Sequence, residues 1–329
     1  MLIVSNYHYI RENFSAEFPS IFGVTPKQFK AQLEELGKAG TFISQEELLQ
    51  FKNREFDKNY ILITFDDGLK EQSELAKPIL DEMGIPFIFF INTSNFLERN
   101  VSLVHKIHLV RSHLSSEDIL DELKKNSSLN LNTEEKALAI AHYNYDKDQT
   151  AHLKYLLNFK LSVKKQQELI DPLFNYLFDE GKVASELYFD DNMLQELSRE
   201  GYLGSHSHNH LPLGNLSQKE LEQELSHTQQ FFQEKFGRPA ASISYPYGSF
   251  EACTGISELI ESHDFKLGFT MERAKNLSLK EDSLLLSRFD CNDMPLGKNE
   301  LFAAENLFQN NLLRNWYKNE NSPSHKRKP

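Results

Sequence analysis

Two short segments carry side chains whose types and spacing could do chemistry. The first is Thr64-Phe65-Asp66-Asp67-Gly68, at the end of the apolar run Tyr60–Phe65. Adjacent carboxylates repel each other, so they are placed together mainly to hold a cation or to move a proton. The alternative is a turn, because Asp-Gly is a strong turn signal and one aspartate could cap a following helix. The second segment is His206-Ser207-His208-Asn209-His210. With only 12 histidines in the chain, three at alternate positions point to a metal rather than to a polar loop with incidental imidazoles. His206 and His210, four apart, share a side if the backbone turns helically there. Together the segments offer an aspartate and two histidines, a set that leaves positions on a divalent metal open for water and substrate.

Elements that could position these residues are readable on both sides of each segment. Residues 1–10 read as a strand leading from Leu2-Ile3-Val4 into Tyr7-His8-Tyr9. Thr25-Pro26-Lys27-Gln28 is a capping box with proline at the first helical position, and Phe29, Leu33 and Leu36 follow at helical spacing. The strand 60–65 is followed by a helix over 69–83, bent near Pro78, and by the apolar strand 86–91. After residue 190 the alternation resumes. A helix near 192–200, the strand 202–206 and a capped helix from Ser217 lead to strands 243–245, 266–270 and 284–288. This order predicts an α/β fold with parallel strands, in which sites collect at the strands' C-terminal ends. Between 97 and 189 the periodicity is helical without clear strands, which suggests an insertion serving as a lid or cleft wall. Within it His105, His108 and His113 have helical spacing and read as a solvated helix face. Asp190 and Asp191 read as a helix N-cap rather than a second acidic pair. The end of the chain, 306–329, reads as a polar tail closing on SPSHKRKP.

TFDDG, followed far downstream by His-Ser-x-x-His, resembles the polysaccharide deacetylase family (NodB homology, carbohydrate esterase 4) over roughly 55–95 and 190–290. The resemblance implies a distorted, TIM-like (β/α)7-type barrel, here discontinuous over 1–96 and 190–305, that binds zinc or another divalent cation such as cobalt, nickel, manganese or iron. It implies Asp67, His206 and His210 as metal ligands and Asp66 as general base, with Ser207 bracing the loop and His208 outside the ligand set. Ser244-Tyr245-Pro246-Tyr247-Gly248 is similar to the family's Arg-x-Pro-Tyr segment, which makes Tyr247 the backbone donor to an oxyanion. Ser244 stands where the family's arginine would orient the catalytic aspartate, and Arg288 is the candidate replacement. The family's C-terminal Leu-x-His has no match after 290. Tyr7-His8-Tyr9 instead resembles the permuted subgroup that includes poly-N-acetylglucosamine deacetylases, which makes His8 the general acid.

The implied function is a metal-dependent hydrolase that removes an N-acetyl group from an amino sugar or glycan, in cell-surface polysaccharide synthesis or modification. Two other readings stay open: a deformylase or other amidase on a non-polymeric substrate, and an inactive relative that binds glycans. Bulk properties narrow the partners. With 36 basic against 48 acidic side chains the net charge is −12, which gives no support to a nucleic-acid partner. No stretch approaches the roughly twenty apolar residues of a membrane span. Cys253 and Cys291 read as free thiols, and with no signal-peptide pattern at the start the expected compartment is the cytoplasm. Nothing in the sequence sets the oligomeric state.

Overall fold

The computed structural model describes residues 1–126, 130–144 and 146–320. In chain order the strands are β1 (Leu2–Tyr7), β2 (Tyr9–Ile10), β3 (Gly23–Val24), β4 (Thr41–Phe42), β5 (Tyr60–Phe65), β6 (Phe87–Ile91), β7 (Leu203–Ser205), β8 (Ser242–Ser244), β9 (Leu267–Phe269) and β10 (Phe289–Asp290). The main sheet is parallel throughout, in the order β10-β1-β5-β6-β7-β8-β9, with β4 also pairing β5. The segment 283–290 joins its two edges. Gly268 N donates to Ser283 O at 2.9 Å and Leu286 N to Gly268 O at 2.7 Å, and then Ser5 pairs with Phe289. The sheet is thereby curled into the distorted barrel that the resemblance implies.

Strands β1, β5 and β6 are buried along their whole length, as parallel strands covered on both faces must be. Their alternating side chains divide into two cores. Ile3, Ile61, Ile63, Phe87 and Phe89 pack against Phe29, Leu33 and Leu36 of the helix Pro26–Ala39 and Leu221 and Leu225 of the helix Gln218–Phe236. Leu2, Val4, Leu62, Ile88, Phe90, Leu267, Phe269 and Leu286 form the other, inside the barrel. Towards the strands' C-terminal ends this inner set changes character. Asn6 follows Val4, Thr64 and Asp66 follow Leu62, and Arg288 follows Leu286, all of them buried. A polar layer thus sits on an apolar plug.

Local sequence accounts for the supports. Thr25 and Ser217 close capping boxes, and the Asp190 side chain accepts from Met193 N at the start of the helix Asp191–Glu200. Three expectations change. The strand expected over 1–10 breaks at His8, which separates β1 from β2. The strand expected over 284–288 pairs only at Leu286, and regular pairing begins at Phe289. The expected bend near Pro78 begins earlier: a wide turn over Gln72–Ala76 precedes the regular helix Lys77–Met83, where proline's missing N–H falls in the first turn.

The chain divides into two compact units, residues 1–12, 23–99 and 185 onward, and residues 13–22 with 100–184. The second unit contains the helices Leu103–His113, Ser116–Asn126, Thr133–His142, Asp148–Tyr155 and Val163–Leu177. It also takes in residues 13–22, where Ser20 Oγ donates to His108 O at 2.6 Å. His113 is exposed, but His105 is buried, so the three histidines do not form one solvated face. Residues 306–320, expected to open a polar tail, are packed instead. Leu307 and Phe308 are buried, Lys275 Nζ donates to Phe308 O at 2.9 Å, and Arg314 donates to Ser278 O at 2.7 Å. The segment SPSHKRKP lies outside the described residues. No helix among the described residues is long and apolar enough to cross a membrane.

Candidate active site

Asp66 is the last member of the inner polar layer. Its backbone N–H donates to Tyr7 O at 3.0 Å, one residue beyond the paired register of β1 and β5. The Arg288 guanidinium grips its carboxylate with both ends, Nη1 to Oδ1 at 3.0 Å and Nη2 to Oδ2 at 2.9 Å. Asn6 Nδ2 donates to Oδ2 at 2.9 Å, and Asn6 Oδ1 accepts from Arg288 Nη1 at 2.8 Å. Arg288 also donates to Thr270 O and to Ser244 Oγ, and its side chain is fully buried. Burial pushes the Asp66 carboxyl up, but Arg288, then His206 and His8, outweigh it and hold the group well below the usual carboxylate range. Asp66 is therefore an anion at neutral pH. The residue at the family's arginine position, Ser244, is small and hydrogen-bonded to the guanidinium that reaches the aspartate from 288.

Asp67 leaves the strand with φ of 80°, which swings its carboxylate away from Asp66's partners. Oδ1 lies 3.6 Å from His206 Nε2 and 3.5 Å from His210 Nε2. His206 Nδ1 faces Ser244 O at 2.8 Å. A carbonyl only accepts, so Nδ1 carries a proton, and Nε2, which faces Asp67, is the nitrogen left to ligate a metal. One ligand atom from each of Asp67, His206 and His210 lies within 4.8 Å of the others. A tetrahedral zinc with bonds of about 2.0–2.1 Å sets its ligands roughly 3.3 Å apart, so this donor set fits such an ion after small adjustments.

The loop carrying the histidines is shaped by its backbone, with φ of 66° at Ser207 and 55° at His210. Ser207 N donates to Ser205 Oγ at 3.0 Å, Thr93 N to Ser207 O at 3.2 Å, and the Asn92 amide to His206 O. The bracing expected of Ser207 thus runs through its main chain. Its buried hydroxyl makes no hydrogen bond among the described residues. His208 points elsewhere, with Nδ1 2.8 Å from Thr93 Oγ1 and Nε2 3.3 Å from Glu98. His8, at the break between β1 and β2, places Nε2 3.8 Å from Asp66 Oδ2 and keeps 39% of its side chain exposed, enough to meet a substrate. The Tyr247 ring lies 5.2 Å from that of His210, on a turn with φ of 65° at Tyr247 and 60° at Gly248. A Cβ at Gly248 would meet Met271 Cγ at 2.4 Å, so the turn requires glycine.

The sequence matches the family model described as polysaccharide deacetylase over residues 53–132 and 175–266. The chain belongs to the polysaccharide deacetylase family. The match is interrupted over 133–174, within the helical unit. Two solved structures share the fold of this polysaccharide deacetylase. Streptococcus pyogenes deacetylase PplD in complex with acetate is 16% identical with a TM-score of 0.55, covering 94% of this chain and 96% of that one. A de-N-acetylase from Aggregatibacter actinomycetemcomitans is 14% identical with a TM-score of 0.53, covering 92% of this chain and 97% of that one. At these identities the likeness is one of fold. A comparison with curated proteins found no match.

Three supports of this polysaccharide deacetylase site were not expected from the sequence. Asn6 links Asp66 to Arg288, and its signal is parity, as the polar successor of Leu2 and Val4 on one face of β1. Gln72 Nε2 donates to Asp66 O at 2.6 Å and to His8 O at 2.9 Å, tying the base-side loop to the β1–β2 break. Glu224, on the helix Gln218–Phe236, accepts from the backbones of His208 at 3.2 Å and Asn209 at 2.9 Å.

Proposed function

We propose that the chain is a divalent-metal-dependent N-deacetylase acting on an N-acetylated amino sugar within a glycan, with zinc as the first candidate metal. The observation that carries this reading is the convergence of Asp67, His206 and His210 beside a separately clamped Asp66. A cation held by those three residues would supply Lewis-acid polarisation of the amide carbonyl and make water more acidic. Asp66, kept ionised and oriented by Arg288, accepts a proton from the attacking water. The Tyr247 backbone N–H donates to the oxyanion that develops on the acetyl carbon. His8 delivers a proton to the departing sugar nitrogen, the C–N bond breaks, and acetate and a free amine remain. The family match supports glycan deacetylation, and we place the reaction in cell-surface polysaccharide synthesis or modification.

Elemental analysis of the purified protein beside a His206→Ala/His210→Ala double variant tests the site. The expected result is near-stoichiometric divalent metal in the wild type, its loss in the variant, and acetate release from N-acetylglucosamine oligosaccharides by the wild type only. Absence of bound metal even after zinc or cobalt addition would remove the mechanism. Formate release from N-formyl sugars with no acetate release would move the reaction to deformylation.

A further inference from the structure

Arg288 orients Asp66, and a second set of contacts fixes Arg288 in turn. The main chain just before β10 is irregular, so no sheet register holds it between Leu286 and Phe289. The turn after β9 does so instead. Arg288 N donates to Glu272 O at 3.1 Å, and Arg288 Nε donates to Thr270 O at 3.0 Å. Glu272 N donates to Thr270 Oγ1 at 3.2 Å. The Glu272 carboxylate is buried, at 7% exposure, and is ringed by donors from two directions. Ser287 Oγ, one residue before Arg288, donates to Oε2 at 3.2 Å. From the C-terminal segment Asn315 N donates to Oε1 at 2.6 Å and Trp316 N to Oε2 at 3.4 Å. That segment is itself anchored, with the Trp316 ring 5.6 Å edge-on from Phe250 and the Arg314 guanidinium on the carbonyls of Ser278 and Leu285.

We propose that Glu272 is a positioning residue for the deacetylation: clamped by the amides of Asn315 and Trp316, it fixes Ser287-Arg288 and so sets the angle at which the guanidinium presents Asp66 to water. This role rests on the deacetylase reading above. A carboxylate suits the position because every neighbour is a donor. An amide would turn its NH2 towards at least one of them and lose that bond.

The test compares Glu272→Gln in the wild type and in an Arg288→Lys background, with Leu48→Ala, buried on the helix Gln45–Leu49, as a control for lost stability. Losing one such bond predicts a fall in kcat of about ten-fold, with KM and metal content unchanged. In the Arg288→Lys background the same change should cost less than about two-fold, because residues acting through one another are not additive. Leu48→Ala should lower Tm and leave kcat of the folded protein intact. A second readout does not need turnover. Hydrogen exchange at the Arg288 Nε–H, followed by NMR and assigned by its absence in Arg288→Lys, should speed up about ten-fold in Glu272→Gln. A loss of kcat that persists undiminished in the Arg288→Lys background, or unchanged Nε–H exchange, would reduce Glu272 to a part of the fold. If the wild type releases no acetate, the deacetylase reading falls, and the exchange measurement still decides whether Glu272 fixes Arg288.

Discussion

Asp66 and Asp67 are neighbours in sequence, and the barrel holds them in opposite ways. Asp66 continues the inward parity of β5 and meets side chains: a bidentate guanidinium and an amide, themselves linked to Thr64 and Ser244. Asp67 turns out of the strand at positive φ and meets two imidazoles whose loop is held by main-chain bonds. The first carboxylate has a built-in counter-charge in Arg288, whereas the second faces two imidazole nitrogens with which it could share a cation. The two adjacent carboxylates therefore point to different partners without facing each other. In the proposed mechanism their division of labour follows from which kind of positive charge each one would meet.

The sharpest way to break this comparison is to neutralise each carboxylate in turn. Asp67→Asn should abolish stoichiometric metal binding, and with it turnover. Asp66→Asn should keep the metal, read by elemental analysis, while kcat falls by roughly 10³-fold. Equal metal loss in both variants would show that the two sides are one site. Removing the built-in counter-charge comes next. Arg288→Met leaves Asp66 buried without its guanidinium, with only Asn6 and the nearby imidazoles beside it, and should cost about 3–5 kcal/mol in urea unfolding of the metal-free protein. The Met side chain fills much of the same volume, so a loss below about 1 kcal/mol would mean that solvent reaches the carboxylate. A smaller effect is expected on the metal side, where Glu224→Ala strips the acceptor from the backbone N–H groups of His208 and Asn209. Metal affinity, measured by competition with a chelator, should weaken about 10-fold with little change in kcat at saturating metal.

What the sequence made legible follows the same division. A metal site was readable because ligation demands particular residue types at close spacing, and the resemblance singled out Asp67, His206 and His210, which the fold brings together. The need for a guanidinium at Asp66 came from the resemblance, in which Ser244 stands at the arginine's place, and Arg288 could be named although regular strand pairing begins only at Phe289. Asn6 was not named, although its parity with Leu2 and Val4 puts it on their face of β1, because a single polar residue in an apolar strand forms no motif. Gln72 and Glu224 act on backbone groups, and a side chain that accepts or donates to main chain leaves no pattern in spacing. The packing of 306–320 was hidden for a related reason. Lys275 satisfies the carbonyl of Phe308 and Arg314 donates out to those of Ser278 and Leu285, and such irregular chain has no periodicity to read. Likewise, nothing local in 13–22 announces that it belongs with helices about eighty residues on.

The smallest expected effect tests whether the metal-side loop is truly held by its main chain. Ser207 belongs to the motif, but its buried Oγ makes no hydrogen bond among the described residues, while its N–H is taken by Ser205 Oγ. Ser207→Ala removes an unsatisfied hydroxyl and keeps the positive-φ backbone, whose strain serine and alanine share. Stability and metal affinity should stay within about 0.5 kcal/mol of wild type. Ser205→Ala, two residues earlier and outside the ligand set, should be the more damaging change. It leaves the Ser207 N–H without its acceptor in a buried turn, at a cost of about 1–3 kcal/mol in denaturant unfolding. The reverse ranking would mean that the Ser207 hydroxyl braces the loop after all, and the contrast between a side-chain-held Asp66 and the main-chain-held histidine loop facing Asp67 would not survive it.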